Sequence, residues 1–574
     1  MRHALTSVFC VCLASAQTPA APGTARIEGQ VRTVAGAPVP KATIQLVNSA
    51  NGLNPAMIIS PLDGSTGLAG RTTTSDDSGN FVLENVPPGR NYRLSAMRPG
   101  YVTGFYGTRS TANPPVLLTL NAGEAMRDLV IEMLEQGTVT GRVTDADGEP
   151  LMGANVTISQ PRYNRGVRQM ASVAAQTTDD RGVYRFANLN PGRYYLVVSD
   201  QTNRRGETQS SFKSGQQANI KTYYPSAEDV RDARPIDVPG NQTQSSDIVM
   251  RRAATFALRG TATDADTGAP IVGFTVNIVA MNGTSIRANP YSRQTRAPDG
   301  AFDFTGLPPG TYSLETVLTA NAAPDGNRRM GRAEATILNA DVTGVVLRAG
   351  RGASLRGVVR VETGDLPASF FSVVRSVVLT EEAPSTPRLQ APRFNGRIAR
   401  DGTFAIEGVP AARFLVGFTA LPEEVYVKSI KFNDSEVLRS LLDLRSSAGG
   451  SLTITLSNRP GRVTGSARDP KGEAVKGMAV ALWPKEVDSG DLSGGIRRAV
   501  TDQNGTYRFT ALPPGEYYIA AFPGVEQGLL ESYEFVSKFN GEAARVELSE
   551  GAVGTSDAPI LPAEKIAFEV ARLP

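Results

Sequence analysis

Five times along this chain a glycine is followed, ten residues later, by the end of a proline-rich turn: Gly79/Gly89, Gly182/Gly192, Gly300/Gly310, Gly402/Ala412 and Gly505/Gly515. The pairs recur roughly every 100 residues, the length of one small domain. A period of that size means one module copied five times. It excludes a single large enzyme core and predicts a row of similar domains.

Each copy reads the same way. A short alternating run opens it and carries a glycine: Gly29, Gly141, Gly260, Gly357 and Gly465. Glycine inside a strand marks a bulge or a close backbone approach. Glycine and proline then supply turn chemistry at Gly36/Pro38, Gly148/Pro150 and Gly268/Pro270, with Gly364/Pro367 and Gly472 in the last two copies. Second strands are expected at 42–47, 154–158, 274–279 and 478–483.

An Asp-bearing turn follows, and two residues past its glycine stands an aromatic: Phe81, Tyr184, Phe302, Phe404 and Tyr507. Two residues further the side chain is again large and apolar, as expected of a strand with one buried face. Another aromatic opens the strand after the proline turn, at Tyr92, Tyr194, Tyr312, Phe414 and Tyr517. Recurrence at a fixed offset points to the core. Closing strands are expected at 129–134, 247–250, 342–347, 452–456 and 566–570, and short helices in inserted loops at 434–444 and 527–539.

The expectation is an all-β chain of five tandem Greek-key β-sandwich modules, Ig-like or transthyretin-like, arranged as a rod. The units span 26–135, 136–253, 254–350, 351–458 and 459–574, after a signal peptide at 1–16 and a linker at 17–25. Arg2 and His3 precede an apolar run, and Ala14-Ser15-Ala16 fits an A-x-A cleavage site. Cleavage near Ala16 predicts a secreted, periplasmic or cell-surface protein. Cys10, Cys12 and His3 are the only cysteines and histidine, and all would leave with the signal.

A chain without imidazole or thiol has no Ser-His-Asp or Cys-His mechanism. Formal net charge is +3, with the arginine pairs scattered among acidic residues, so no nucleic-acid partner is expected. No run reaches a membrane helix. Asp145-Ala146-Asp147 resembles the start of a calcium loop without its later ligands, so it reads as a turn. No catalytic residue, metal or cofactor is expected.

These motifs resemble the carboxypeptidase regulatory-like domain. Unit two carries the resemblance at 139–143, 145–151, 179–186 and 189–196, and unit four departs from it where Ala412 replaces a glycine. The resemblance covers the chain beyond the signal. It implies a transthyretin-like Greek-key sandwich, also grouped with carbohydrate-binding-like folds. It implies an accessory module rather than the zinc enzyme beside which such modules occur. Arg142 and Glu28 stand where related adhesin domains would need a cross-linking lysine, so no isopeptide bond is expected.

The expected function is therefore non-catalytic: binding of carbohydrate or another extracellular polymer, or structural work. The alternatives are an accessory subunit of a secreted carbohydrate-active or peptidase system, and a receptor-type ectodomain meeting a protein partner. A polysaccharide, cell-envelope component or protein is the expected partner. Ligand contacts should break the repeat, and Trp483, Tyr223 and Tyr224 do. Large aromatics usually bury, so all three also fit a role in pinning loops.

Overall fold

The computed structural model describes residues 23–48, 70–108, 115–164, 167–200, 213–273, 275–281, 291–294, 298–318, 329–382, 393–418, 420–438, 440–447, 449–469, 471–486 and 495–573. The expected signal peptide at 1–16 lies outside these residues.

In every unit the opening strand is central. Ala25–Thr33, Gly137–Thr144, Arg252–Asp264, Ala353–Val361 and Gly461–Ser466 each pair antiparallel with the strand after the Asp turn. The strand glycine lies directly opposite the recurring aromatic: Gly29 on Phe81, Gly141 on Tyr184, Gly260 on Phe302, Gly357 on Phe404, Gly465 on Tyr507. A Cβ on any of these glycines would overlap both that aromatic side chain and a carbonyl on or next to the closing strand. The glycine therefore lets the ring and a third strand share one place.

The closing strand runs parallel to the opening strand in all five units. A Greek-key sandwich built from antiparallel hairpins alone would not contain this pair. A single chain that enters and leaves a unit in the same direction needs one parallel pair, and hydrophobic alternation carries no information about strand direction.

A second sheet completes each core. In unit one it is Arg71–Thr74, Thr43–Asn48, Gly89–Met97 and Gly104–Phe105 in that order. Ile44, Leu46, Leu94 and Leu118 face Ile27, Phe81, Leu83 and Ile131 across it. The same division recurs in units two, four and five, whereas unit three bends into one continuous sheet. The tyrosine after the proline turn is anchored by its hydroxyl. Tyr92 donates to the Pro87 carbonyl, Tyr194 to Asn190, Tyr312 to Pro308 and Tyr517 to Pro513, at 3.0, 2.6, 2.7 and 2.8 Å. Unit four has Phe414 there, which meets Phe394 edge-on at 5.8 Å.

Two expected elements differ. The described residues of 434–444 form no helix. Asn433 and Asp434 both take positive φ, 45° and 70°, and make the two-residue turn of a hairpin between Tyr426–Phe432 and Ser435–Glu436. An Asn-Asp pair suits such a turn as well as it suits a helix cap. Conversely, the strand expected at 566–570 is part of the helix Ala563–Ala571. Ile566 and Val570 lie four apart and pack inward. The short helical insertion expected at 527–539 is present, as turns over Leu529–Glu531, Tyr533–Val536 and Ser537–Phe539.

Consecutive units are joined tightly. A single residue, Gly352, separates strand Val342–Arg351 from Ala353–Val361. Unit two sends Gln216–Asn219 out as an added strand on Arg252–Asp264 of unit three. Arg332 clamps the buried Glu381 of unit four through both terminal guanidinium nitrogens, at 3.0 and 3.1 Å. Glu550 of unit five accepts from Tyr426, Ser457 and Arg459 at 2.9, 2.8 and 2.6 Å.

The row does not stay open. Unit five also touches units one and two: Gln503 bonds Thr119, and Glu526 accepts from the Tyr163 amide at 3.1 Å. These contacts replace the expected rod with a chain that returns on itself.

Candidate functional site

The three aromatics singled out by sequence are placed in packing roles. Trp483 sits on strand Ala479–Pro484 with 0% exposure. Its indole N–H donates to Asn540 Oδ1 at 2.8 Å, and its ring stacks on Tyr518 with centroids 5.9 Å apart. Phe522, Phe535, Phe539 and Ile566 close over it. This strand is buried on both faces, because the helical insertion and the C-terminal helix cover the outer one.

Tyr223 is buried with Met170, Val197 and Val230 on the outside of unit two. Burial, and then the nearby Asp229 charge, push its hydroxyl well above the usual phenol range. Lys221 Nζ lies 5.1 Å from the centre of that ring. Burial pulls the Lys221 amine down to about 8, against the opposing pull of Asp229. Tyr224 is half-buried against the unit-two core, its amide donating to the Leu196 carbonyl at 3.1 Å. Trp483 and the two tyrosines belong to different clusters and line no common surface.

The carboxylates are likewise engaged in the scaffold. Asp76, Asp179 and Asp502 each accept two backbone amides of their own turn. Asp145 and Asp147, the calcium-like pair, share the guanidinium of Arg252, the first residue of strand Arg252–Asp264. Among the described residues, no group of three or more His, Cys, Asp or Glu is arranged to hold a metal.

A shallow, open surface groove of about 370 Å³ lies on unit one, lined by Arg26, Arg71, Thr72, Thr73, Val82, Leu83 and Glu84. It lies between the outermost strands of the two sheets, Arg71–Thr74 and Asn80–Val86. Arg26 is held by Glu28 and Glu84 at 2.6 and 3.2 Å. Arg71 and the two threonines are accessible donors. Such an open, polar trough suits a hydroxyl-rich or anionic chain better than an apolar small molecule. Sequence reasoning missed it. Its residues come from three separated segments and none is chemically unusual.

The carboxypeptidase regulatory-like domain family matches this chain over residues 26–122 and 138–223. Among solved structures the chain is similar to the Bacillus anthracis TIE protein, at 12% identity over 90% of this chain and 68% of that one, with a TM-score of 0.14. It is also similar to GBS52, the minor pilin of Streptococcus agalactiae, at 15% identity over 40% and 97% of the two chains, TM-score 0.21. A streptococcal ancillary pilin is 14% identical over 57% and 98%, TM-score 0.17. No curated protein matches.

Proposed function

We propose, for a chain whose first two units match carboxypeptidase regulatory-like domains, a non-catalytic binding and structural role outside the cytoplasm, with the five units partitioned at 26–135, 136–253, 254–350, 351–458 and 459–574. The carrying observation is the construction of the junctions. Strand addition, the Arg332 clamp on Glu381 and the Glu550 network join neighbouring units. Such cross-bonding suits a protein that presents surfaces in fixed positions rather than one that moves domains around a substrate.

The ligand in this reading is an extracellular polymer, carbohydrate first, taken along the unit-one groove through Arg71, Thr72 and Thr73. Tyr224 is the one sequence candidate that keeps accessible surface and could add a contact. The test is depletion of the purified chain by insoluble polysaccharides and by cell envelopes, comparing wild type with Arg71→Ala/Thr72→Val and with Tyr224→Ala. Glycan binding lost in the groove variant is the expected result. Retention on envelopes alone moves the reading to a protein partner. Failure to bind either leaves the structural role only.

A further inference from the structure

Contacts between unit five and the start of the chain are made by residues that break the repeat. Gln503 holds the Asp-turn position two before the glycine, where the other units have Asp77, Asp180, Pro298 and Arg400. Its side-chain amide does what a neighbouring strand would do. Oε1 accepts from the Thr119 amide at 3.2 Å, and Nε2 donates to the Thr119 carbonyl at 2.9 Å. Thr119 lies in Leu117–Leu120, an outer strand whose other side pairs with Gly89–Met97. An aspartate in the same place could accept but not donate.

Lys476 is a second such residue. Units one to three carry Pro40, Met152 and Val272 at this turn position. Lys476 Nζ donates to the Tyr106 hydroxyl at 3.1 Å and lies 4.9 Å from its ring centre. Beside it, Gly477 approaches so closely that a Cβ would stand 2.9 Å from both the Gly107 carbonyl and a Val116 methyl. The matching turn glycines Gly153 and Gly273 face open space.

The third contact is with unit two. Gly528 has an ordinary helical backbone, φ −65° and ψ −24°, which any residue adopts. Its need for glycine comes from outside its unit, since a Cβ would overlap the Tyr163 carbonyl. Tyr163 lies on the long hairpin strand Asn155–Asn164, whose ring side packs against the Trp483 cluster. Three separate sites on unit five are thus shaped to units one and two.

We propose that unit five is a latch: its contacts at Thr119, Tyr106 and Tyr163 hold the chain closed on units one and two and shield the edge strand Leu117–Leu120. Exposed edges invite added strands, and this chain already uses that mode where Gln216–Asn219 joins unit three.

The test uses the full chain, with hydrogen exchange at the Thr119 amide and small-angle scattering read together. Wild type should be compact with Thr119 protected. Gln503→Ala removes both the acceptor and the donor from an exposed turn, so unit five folds. It should raise Thr119 exchange by about tenfold or more. Gly528→Val combined with Gln503→Ala should also enlarge the radius of gyration. Far-ultraviolet circular dichroism, unchanged, confirms that unit five is intact in both variants. An extended wild type with unprotected Thr119 overturns the latch, and so does a Gln503→Ala chain that keeps wild-type dimensions and wild-type Thr119 protection.

Discussion

One residue in unit five departs from its four counterparts. Each strand after the Asp turn ends in a bulge whose residue takes positive φ: Asn85, Asn188, Gly306, Gly408 and Ala511, at 56°, 59°, 73°, 68° and 56°. Asn and Gly tolerate that region, and alanine does not, because its Cβ crowds the following carbonyl. Ala511→Gly should therefore stabilise unit five by about 1 kcal/mol in chemical denaturation. A second residue-level outcome concerns pH. The Lys221 amine is held at about 8, so from there to the ordinary 10.5 the unfolded chain binds a proton that the folded chain does not. Stability of unit two should rise with pH across that window. Above about 10 the buried Tyr184 and Tyr223, whose hydroxyls are pushed up mainly by burial, reverse the trend as the unfolded phenols ionise. Lys221→Met should abolish the rise between pH 8 and 10 in urea titrations.

Among the elements, those specified by neighbours in sequence were legible and the rest were not. The Asp turns, the proline turns and the glycine opposite each aromatic all appear as fixed offsets, because each is a local backbone requirement. Strand direction left no trace, so the parallel closing strands were invisible. Ile566, Phe568 and Val570 alternate like a strand, while Ile566 and Val570 also fit a helical face. A run this short satisfies both periods. Packing decides, since the helix lays Ile566 onto the Trp483 cluster and leaves Phe568 exposed. Because Trp483 is the only tryptophan, its emission reports on the unit-five cluster that surrounds it. Ile566→Asp should shift that emission to the red while circular dichroism of the other sheets persists. The groove was illegible for a different reason: Arg26, Arg71 and Glu84 meet only once two sheets are stacked.

At the scale of the whole molecule, the junctions are the informative places. A repeat with the period of one small domain predicts exposed linkers between units. Here Gln136 donates to the Gly100 carbonyl, Asn241 donates to that of Gln136, and residues 252–255 carry an added strand. Limited proteolysis should spare positions near 135, 253, 350 and 458 and cut elsewhere first. Early cleavage at those four places would mean the cross-bonds do not hold in solution. The contacts that close the chain were beyond sequence reading, since Thr119 and Gln503 lie 384 residues apart.

The parallel closing strand has a mechanical meaning. When the two ends of such a unit are pulled apart, the opening and closing strands are drawn past each other lengthwise. All the hydrogen bonds between them then resist together instead of parting one by one. Unit four has the longest such seam, Ser354–Val361 against Gly449–Leu456, and unit five the shortest, Arg462–Thr464 against Val553–Thr555. Forced unfolding is governed by the rate of escape from the native state, so seam length should order the events. In single-molecule stretching, unit five should yield at the lowest force and unit four at the highest. The chain would then act as a graded shock absorber whose weakest section is also the one that closes it.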